Sequence, residues 1–225
     1  MKIIKKIQAL AIAAVLVAGL ASCSETSGTP EEFPDWKNTN EAYIDKAYAE
    51  AKALADGGDG AWKVLPSWSL EADKATHSYD HVLVNVLNAG TGSGCPLYTD
   101  SVKVHYRGHL LPTASYSAGY VFDQSWTGDY QPATMVPVKF RVGDLVNGFT
   151  TALMQMHIGD RWMVTLPYQL GYGTTSSSSI PAYSTLFFDV TLVAYYRANS
   201  TTKYVRGKDG RVRTVTEKRG EWIYE

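Results

Sequence analysis

From about His81 onward, the apolar residues of this chain fall on every second position. Val82, Val84 and Val86 alternate, as do Val102, Val104 and Tyr106, then Val138, Phe140 and Val142, then Trp162, Val164 and Leu166, then Leu186, Phe188, Val190 and Leu192. A period of two sends successive side chains to opposite faces, so these runs predict at least five strands. After the third run the period changes: Phe149, Ala152, Leu153 and Met156 form one helical stripe, closed by Gly159-Asp160. The economical packing is an α+β domain, a twisted antiparallel sheet of five or six strands wrapped on one short helix. Upstream, Tyr43, Ile44, Ala47, Tyr48, Ala51, Leu54 and Ala55 recur at three- and four-residue intervals, with Asn40 as the expected N-cap and Gly57-Gly58 as the stop. The apolar stripe of this additional N-terminal helix either packs on the sheet or meets a second copy of the chain. Two polar connections, 111–119 and 174–179, interrupt the pattern, and connections of this kind commonly carry function.

The first residues follow a different rule. Lys2, Lys5 and Lys6 precede an apolar run from Ile7 to Leu20 that is short for a membrane span. The run ends in Leu20-Ala21-Ser22-Cys23, which resembles the bacterial lipobox. That resemblance implies cleavage before Cys23 and a diacylglycerol on its thiol; the alternative is plain cleavage with a free thiol. Acyl chains buried at about 0.8 kcal/mol per methylene would hold the mature protein on a membrane without a spanning helix. Ser24 after the cysteine resembles the pattern of outer-membrane sorting, in the periplasmic or the surface leaflet. The expected organisation is therefore a signal peptide over 1–22, a flexible tether over 23–39 rich in Ser, Thr, Pro and Glu, a helix with its connection over 40–78, the main domain over 79–198, and a basic hairpin or extension over 199–225. With Cys23 lipidated, Cys95 has no partner for a disulfide and is expected to be a small buried hydrophobe.

Charge and motifs narrow the function by exclusion. Lysine and arginine total 21 against 22 aspartates and glutamates, so no overall field draws nucleic acid. There is no HExxH, no paired CxxC and no GxSxG. His77, His81, His105, His109 and His157 are scattered, and His105 alternates with the apolar residues of its strand, which places it on the solvent face beside Lys103 and Arg107. Gly90-Thr91-Gly92-Ser93-Gly94 lacks the lysine of a phosphate loop and reads as a turn, and Asp56 to Gly60 lacks the spacing of an EF-hand. No metal or other cofactor is implied.

Five linked motifs remain: Val104-His105-Tyr106-Arg107-Gly108, Val121-Phe122-Asp123-Gln124-Ser125, Val142-Gly143-Asp144-Leu145-Val146-Asn147-Gly148-Phe149, Gly171-Tyr172-Gly173, and Ile180-Pro181 through Thr185-Leu186-Phe187-Phe188-Asp189-Val190. In this order and spacing they resemble the FKBP-type peptidyl-prolyl isomerases over about Ser101 to Ala194. The resemblance implies an FKBP-like sheet, cis/trans isomerisation of X-Pro bonds in exported polypeptides, proline-containing clients, macrolide inhibitors, and a monomer or weak dimer. It assigns catalytic roles to Asp123 and Tyr172 and substrate contacts to Tyr106, Phe122, Leu145, Val146, Phe149, Ile180 and Phe188.

The chemistry needs no nucleophile, because the barrier of about 18–20 kcal/mol comes from amide resonance and an apolar pocket disfavours the charge-separated planar amide. Tyr106, Phe140 and Phe188 also have a plain structural role, since they alternate on strands and can serve simply as core, whereas Asp123 beside Phe122 and Tyr172 between two glycines are poorly explained by packing. The chain departs from the family in having Phe149 where tryptophan is usual, Val138 at a position usually aromatic, an insertion over 111–119, and a serine tract after Tyr172. A module that grips extended polypeptide in the same cleft without catalysis, as a holdase, is the alternative function. A structural subunit of a cell-surface assembly is a third.

Overall fold

The computed structural model describes residues 31–177, 179–206 and 212–224; the expected signal peptide, the expected lipidation of Cys23 and the expected tether up to residue 30 lie outside the described residues. Helix α1 (Trp36–Asp56) is followed by strands β1 (Trp62–Pro66), β2 (His81–Asn88), β3 (Ser101–His109), β4 (Val121–Gln124) and β5 (Val138–Arg141), helix α2 (Asn147–Leu153), and strands β6 (Arg161–Leu166), β7 (Leu186–Arg206) and β8 (Val212–Ile223). All pairings are antiparallel. The sheet runs β1-β2-β6-β7-β3-β4, with β5 also on β3 and β8 also on β7. Each expected alternating run lies in a strand except at Val142, which falls just past β5 in a single 3-10 turn, and the fold is the α+β arrangement of an antiparallel sheet with a short inner helix and an N-terminal helix.

The inner face carries Val82, Val84, Val104, Tyr106, Val164, Leu166, Phe188 and Val190, all buried, against Phe149, Ala152 and Leu153 of α2. Fully burying one such side chain contributes about 1.5–3 kcal/mol, which is why a seven-residue helix, too short to be stable alone, persists here. Gly148 lets α2 approach the sheet: a Cβ there meets the Leu166 side chain at 2.6 Å.

Three features differ from the sequence expectations. Helix α1 starts at Trp36, four residues before Asn40, and Asn40 is not its N-cap. Asn40 is fully buried one turn inside the helix, where Nδ2 donates to the Trp36 carbonyl (2.6 Å) and Oδ1 accepts from the Thr185 backbone N–H (2.7 Å). A buried amide with both ends bonded is as favourable as a capping one, and nothing in local sequence separates the two. The stripe that packs is accordingly Trp36, Asn40, Ile44 and Ala51, while Tyr43 and Leu54 stay exposed.

Secondly, His105 does not face solvent. It is 2% exposed, with Tyr130 set edge-on at 5.9 Å. Trp126 and Tyr130 lie over the outer face of β3, β6 and β7, on Arg107, Arg161 and Thr191, and cover His105. Thirdly, Cys95 is half-buried rather than buried, with its sulfur 3.8 Å from His157 Nε2. Burial, the largest cause, pushes its thiol up, and Asp160 adds to this while Arg197 opposes it.

Strand β1 has no alternating signature of its own, being five residues that end in Pro66. It pairs only with β2, and proline is tolerated on such an edge. Strand β8 pairs with the far half of β7, from Tyr195 opposite Ile223 to Arg206 opposite Val212.

Candidate functional site

The site grows from one irregularity. Between β3 and β4 the register steps from Gly108 opposite Asp123 to His109 opposite Val121, so Phe122 is an extra residue in β4. Such a bulge breaks the strict alternation. The side chains of the consecutive residues Phe122 and Asp123 both reach the inner face, Phe122 onto Phe188 (edge to face, 5.5 Å) and Asp123 onto Tyr106.

Gly108 makes the first contact possible. A Cβ at that position meets Phe122 Cζ at 2.5 Å and Phe188 Cε1 at 2.9 Å, so a side chain there displaces one ring or both. Beyond them Phe149 stacks on Phe188 at 4.7 Å and Tyr106 lies 6.5 Å from Phe149. Phe140 closes the far side, edge-on to Tyr106 at 5.4 Å, so the aromatic wall that Val138 does not supply comes from Phe140. Aromatic rings in such tilted and offset pairs give a flat apolar surface with specific geometry.

Polar groups converge on this surface. The Tyr106 hydroxyl donates to Asp123 Oδ2 at 2.6 Å, and the Gln124 N–H donates to Asp123 Oδ1 at 2.8 Å. Burial, and then the hydrogen bond and charge of Asp123, hold the Tyr106 phenol well above its ordinary value, with a smaller contribution from Tyr172. Tyr106 therefore remains protonated and a donor at neutral pH. Its backbone is fixed in turn: the Tyr106 N–H donates to Ser125 Oγ at 2.9 Å, and the Ser125 N–H donates to the Tyr106 carbonyl at 2.8 Å.

Leu145 and Val146 are half-buried against the core at the entry to α2. Val146 is extended (φ −62°, ψ 146°) and its carbonyl accepts from Thr150, while among the described residues its own N–H has no acceptor. Ile180 is buried. Tyr172 is 46% exposed and its hydroxyl has no partner among the described residues.

The structure thus gathers Tyr106, Phe122, Asp123, Phe149 and Phe188 by direct ring or hydrogen-bond contact. Leu145, Val146 and Ile180 join through the shared core, and Tyr172 projects from its loop without an aromatic partner in the cluster. Sequence reasoning missed Gly108 and Ser125 as working residues, although both stand inside quoted motifs. A lone glycine in a strand signals close approach only in general terms, and which rings approach it is set by β4 and β7.

A groove of about 440 Å³ bounded by Glu41, Asp45, Ser78, Tyr79 and Tyr168 shares no residue with this cluster. Its carboxylates are already hydrogen-bonded, Glu41 by the Tyr168 hydroxyl (2.9 Å) and Asp45 by Ser78 (2.5 Å). The Tyr168 phenol is pushed up to about 12, first by burial and then by Glu41.

With this geometry in view, the relatives of the chain fall into one class. Residues 95–193 match the family model of the FKBP-type peptidyl-prolyl cis-trans isomerase, so the chain carries an FKBP-type domain. Among individual relatives, the chain is similar to the macrophage infectivity potentiator of Trypanosoma cruzi (39% identical over 106 residues, 47% of this chain and 48% of the relative). It is similar to the FKBP-type 22 kDa peptidyl-prolyl cis-trans isomerase of Escherichia coli (38% over 109 residues, 48% of this chain and 47% of the relative). It also resembles the FKBP-type peptidyl-prolyl cis-trans isomerase FkpA of Aeromonas hydrophila (32% over 173 residues, 76% of this chain and 59% of the relative). The chain spans about half the length of the first two relatives.

Proposed function

We propose that this protein accelerates cis/trans isomerisation of X-Pro peptide bonds in exported polypeptides, held at a bacterial outer membrane by a lipid on Cys23. The observation that carries the reading is the hydrogen bond from Tyr106 to Asp123 at the edge of an aromatic surface built from Phe122, Phe149 and Phe188. The FKBP-type domain over residues 95–193 supports it. The basic, apolar and lipobox order of the N-terminus supports the membrane placement.

In this reading the pyrrolidine ring lies on Phe149 and Phe188, where water is excluded. The planar amide is more charge-separated than the twisted one, so an apolar surface raises the ground state relative to the transition state. The free N–H of Val146 and the hydroxyl of Tyr172 donate to the carbonyls flanking the proline, holding the rotated geometry. Asp123 orients Tyr106 and provides the one charge beside the rotating bond. Covalent intermediates and cofactors have no part in these steps. Phe149 has no ring N–H and less area than tryptophan, so the surface beneath the proline is smaller than is usual for the family.

The test is catalysis of X-Pro exchange in a short peptide, an exchange that takes tens to hundreds of seconds uncatalysed. Asp123→Ala removes a charge-assisted hydrogen bond of about 1.5–3 kcal/mol, so kcat/KM is expected to fall roughly tenfold to a hundredfold. Tyr172→Phe should lower it by less. Exchange no faster than in buffer, or full activity in both variants, refutes the reading.

A further inference from the structure

A second groove, of about 560 Å³, has Ile180, one of the expected substrate contacts, in its wall, and neither the fold nor the isomerisation step accounts for it. Its walls come from three segments far apart in sequence: Glu32 and Phe33 ahead of α1, Tyr116 and Tyr120 from the 111–119 insertion and its exit, and Ser176, Ser177, Ser179, Ile180 and Pro181. Two of these residues connect it to the proline site. Ile180 lines the groove and belongs to the same core cluster as Phe149 and Phe188, and Tyr120 stands two positions before Phe122 on the way into β4.

The walls are built before anything binds. The Glu32 carboxylate accepts from the hydroxyls of Thr113 and Ser115, tying the insertion to the lead-in of α1. Phe33 packs edge-on against Trp36 at 4.9 Å, and Trp36 Nε1 donates to Ser184 Oγ at 2.9 Å, fixing that lead-in to the segment before β7. Tyr116 lies edge-on to Tyr120 at 5.0 Å. Ser177 and Ile180 exchange backbone hydrogen bonds, and Ser176 Oγ accepts from the Ala182 N–H.

Among the described residues that line it, the groove has one carboxylate, no basic side chain and three aromatic rings. The hydrogen bonds from Ser115 and Thr113 hold the Glu32 carboxyl below its ordinary value, so the negative charge persists into mild acid. A carboxylate among π-faces attracts cations, at a few-fold in affinity for an exposed contact.

We propose that this groove is a subsite of the same cleft that receives the polypeptide segment flanking the proline and selects a lysine or arginine side chain there. The inference rests on the isomerase reading for its occupant and on the continuity through Ile180 and Tyr120 for its position. It makes the 111–119 insertion, together with the residues ahead of α1, a determinant of which prolines are served.

The test uses the full chain and ten-residue peptides with one shared X-Pro centre, carrying Lys, Gln or Glu two to four positions from the proline on either side, beside a four-residue peptide with the same centre. At low salt the lysine peptide is expected to exceed the glutamate peptide in kcat/KM by about fivefold, on one side of the proline only. That ratio should approach one in Glu32→Gln and at about 1 M salt, where screening reaches about 3 Å, and should shrink in Tyr116→Ala, which leaves the carboxylate in place. Equal kcat/KM for the three long peptides, with the four-residue peptide turned over, overturns the subsite and leaves the isomerase reading intact. If no peptide is turned over, fluorescence anisotropy of the same labelled peptides decides. A lysine preference that Glu32→Gln abolishes then upholds the groove as a polypeptide site, and equal binding overturns it.

Discussion

On the inner face of β3 and β7, Tyr106 and Phe188 meet Phe122, Asp123 and Phe149; one residue away along the same strands, His105, Arg107, Asp189 and Thr191 occupy the outer face. Both faces combine aromatic rings with charged groups. They differ in how completely the polar atoms are paired. On the outer side Arg161 forks onto both oxygens of Asp189 (2.9 and 2.6 Å), its guanidinium lies 4.1 Å from the Tyr130 ring, and the Tyr130 hydroxyl donates to Thr191 Oγ1 at 2.8 Å. Arg107 stacks on Trp126 and donates to Gln124 and to the carbonyls of Trp126 and Gly128.

Apart from His105 Nδ1 and Trp126 Nε1, which are buried without partners, that cluster satisfies itself. It ties the segment from Trp126 to Tyr130 onto the sheet. The inner cluster leaves its Val146 N–H, its Tyr172 hydroxyl and the exposed side of Asp123 available from solvent. In the isomerase reading, an aromatic cluster with a charge serves as a site where its free donors can be reached from solvent, whereas the unpaired ring nitrogens of the outer cluster are buried. This contrast separates the two faces better than their composition does.

The largest expected effect falls on the inner face. Phe149→Ala removes a buried ring between Phe188 and α2 and should cost about 3–5 kcal/mol of stability, read as a lowered urea midpoint. Phe149→Trp offers the complementary change, and in the isomerase reading it should raise activity if the surface under the proline is limiting. A smaller effect is expected from Arg161→Leu. It frees Asp189, which is mostly buried, and because Arg161 is about a third exposed the loss should stay near 1.5 kcal/mol, at the lower end for charged hydrogen bonds. X-Pro exchange by the folded fraction should be unchanged, and a loss of activity comparable to that of Asp123→Ala would erase the distinction between the faces.

The smallest effect concerns pH. Burial depresses the pKa of His105 below its unfolded value of about 6.5. The unfolded chain therefore binds more protons in that range, so this contribution to stability is full above about pH 6.5 and is lost as the pH falls below it. Urea midpoints followed from pH 7.5 to 5 should decline less steeply in His105→Leu than in the parent, and parallel curves would remove the buried neutral imidazole from the account.

Much of the fold was legible because period-two alternation and the Phe149, Ala152, Leu153 stripe are local consequences of which side chains leave water. The α+β class and the inner helix follow from that chemistry alone, while the order of the motifs carries only a resemblance. Alternation misled at His105, since a strand pattern shows that one face is apolar but not whether a later segment, here the one bearing Trp126 and Tyr130, will cover the other. Asn40 misled for a similar reason: its partner Thr185 is 145 residues away.

The sequence by itself determined five of the eight strands and the inner helix, and its resemblance to the FKBP-type isomerases named Tyr106, Phe122, Asp123, Phe149 and Phe188. Only the tertiary structure decided that Phe122 and Asp123, neighbours that ideal alternation sends to opposite faces, turn to the same one. That outcome depends on the register of β4 against β3 and on the space above Gly108. Register is a property of two strands and their shared core, and no stretch of one strand encodes it alone.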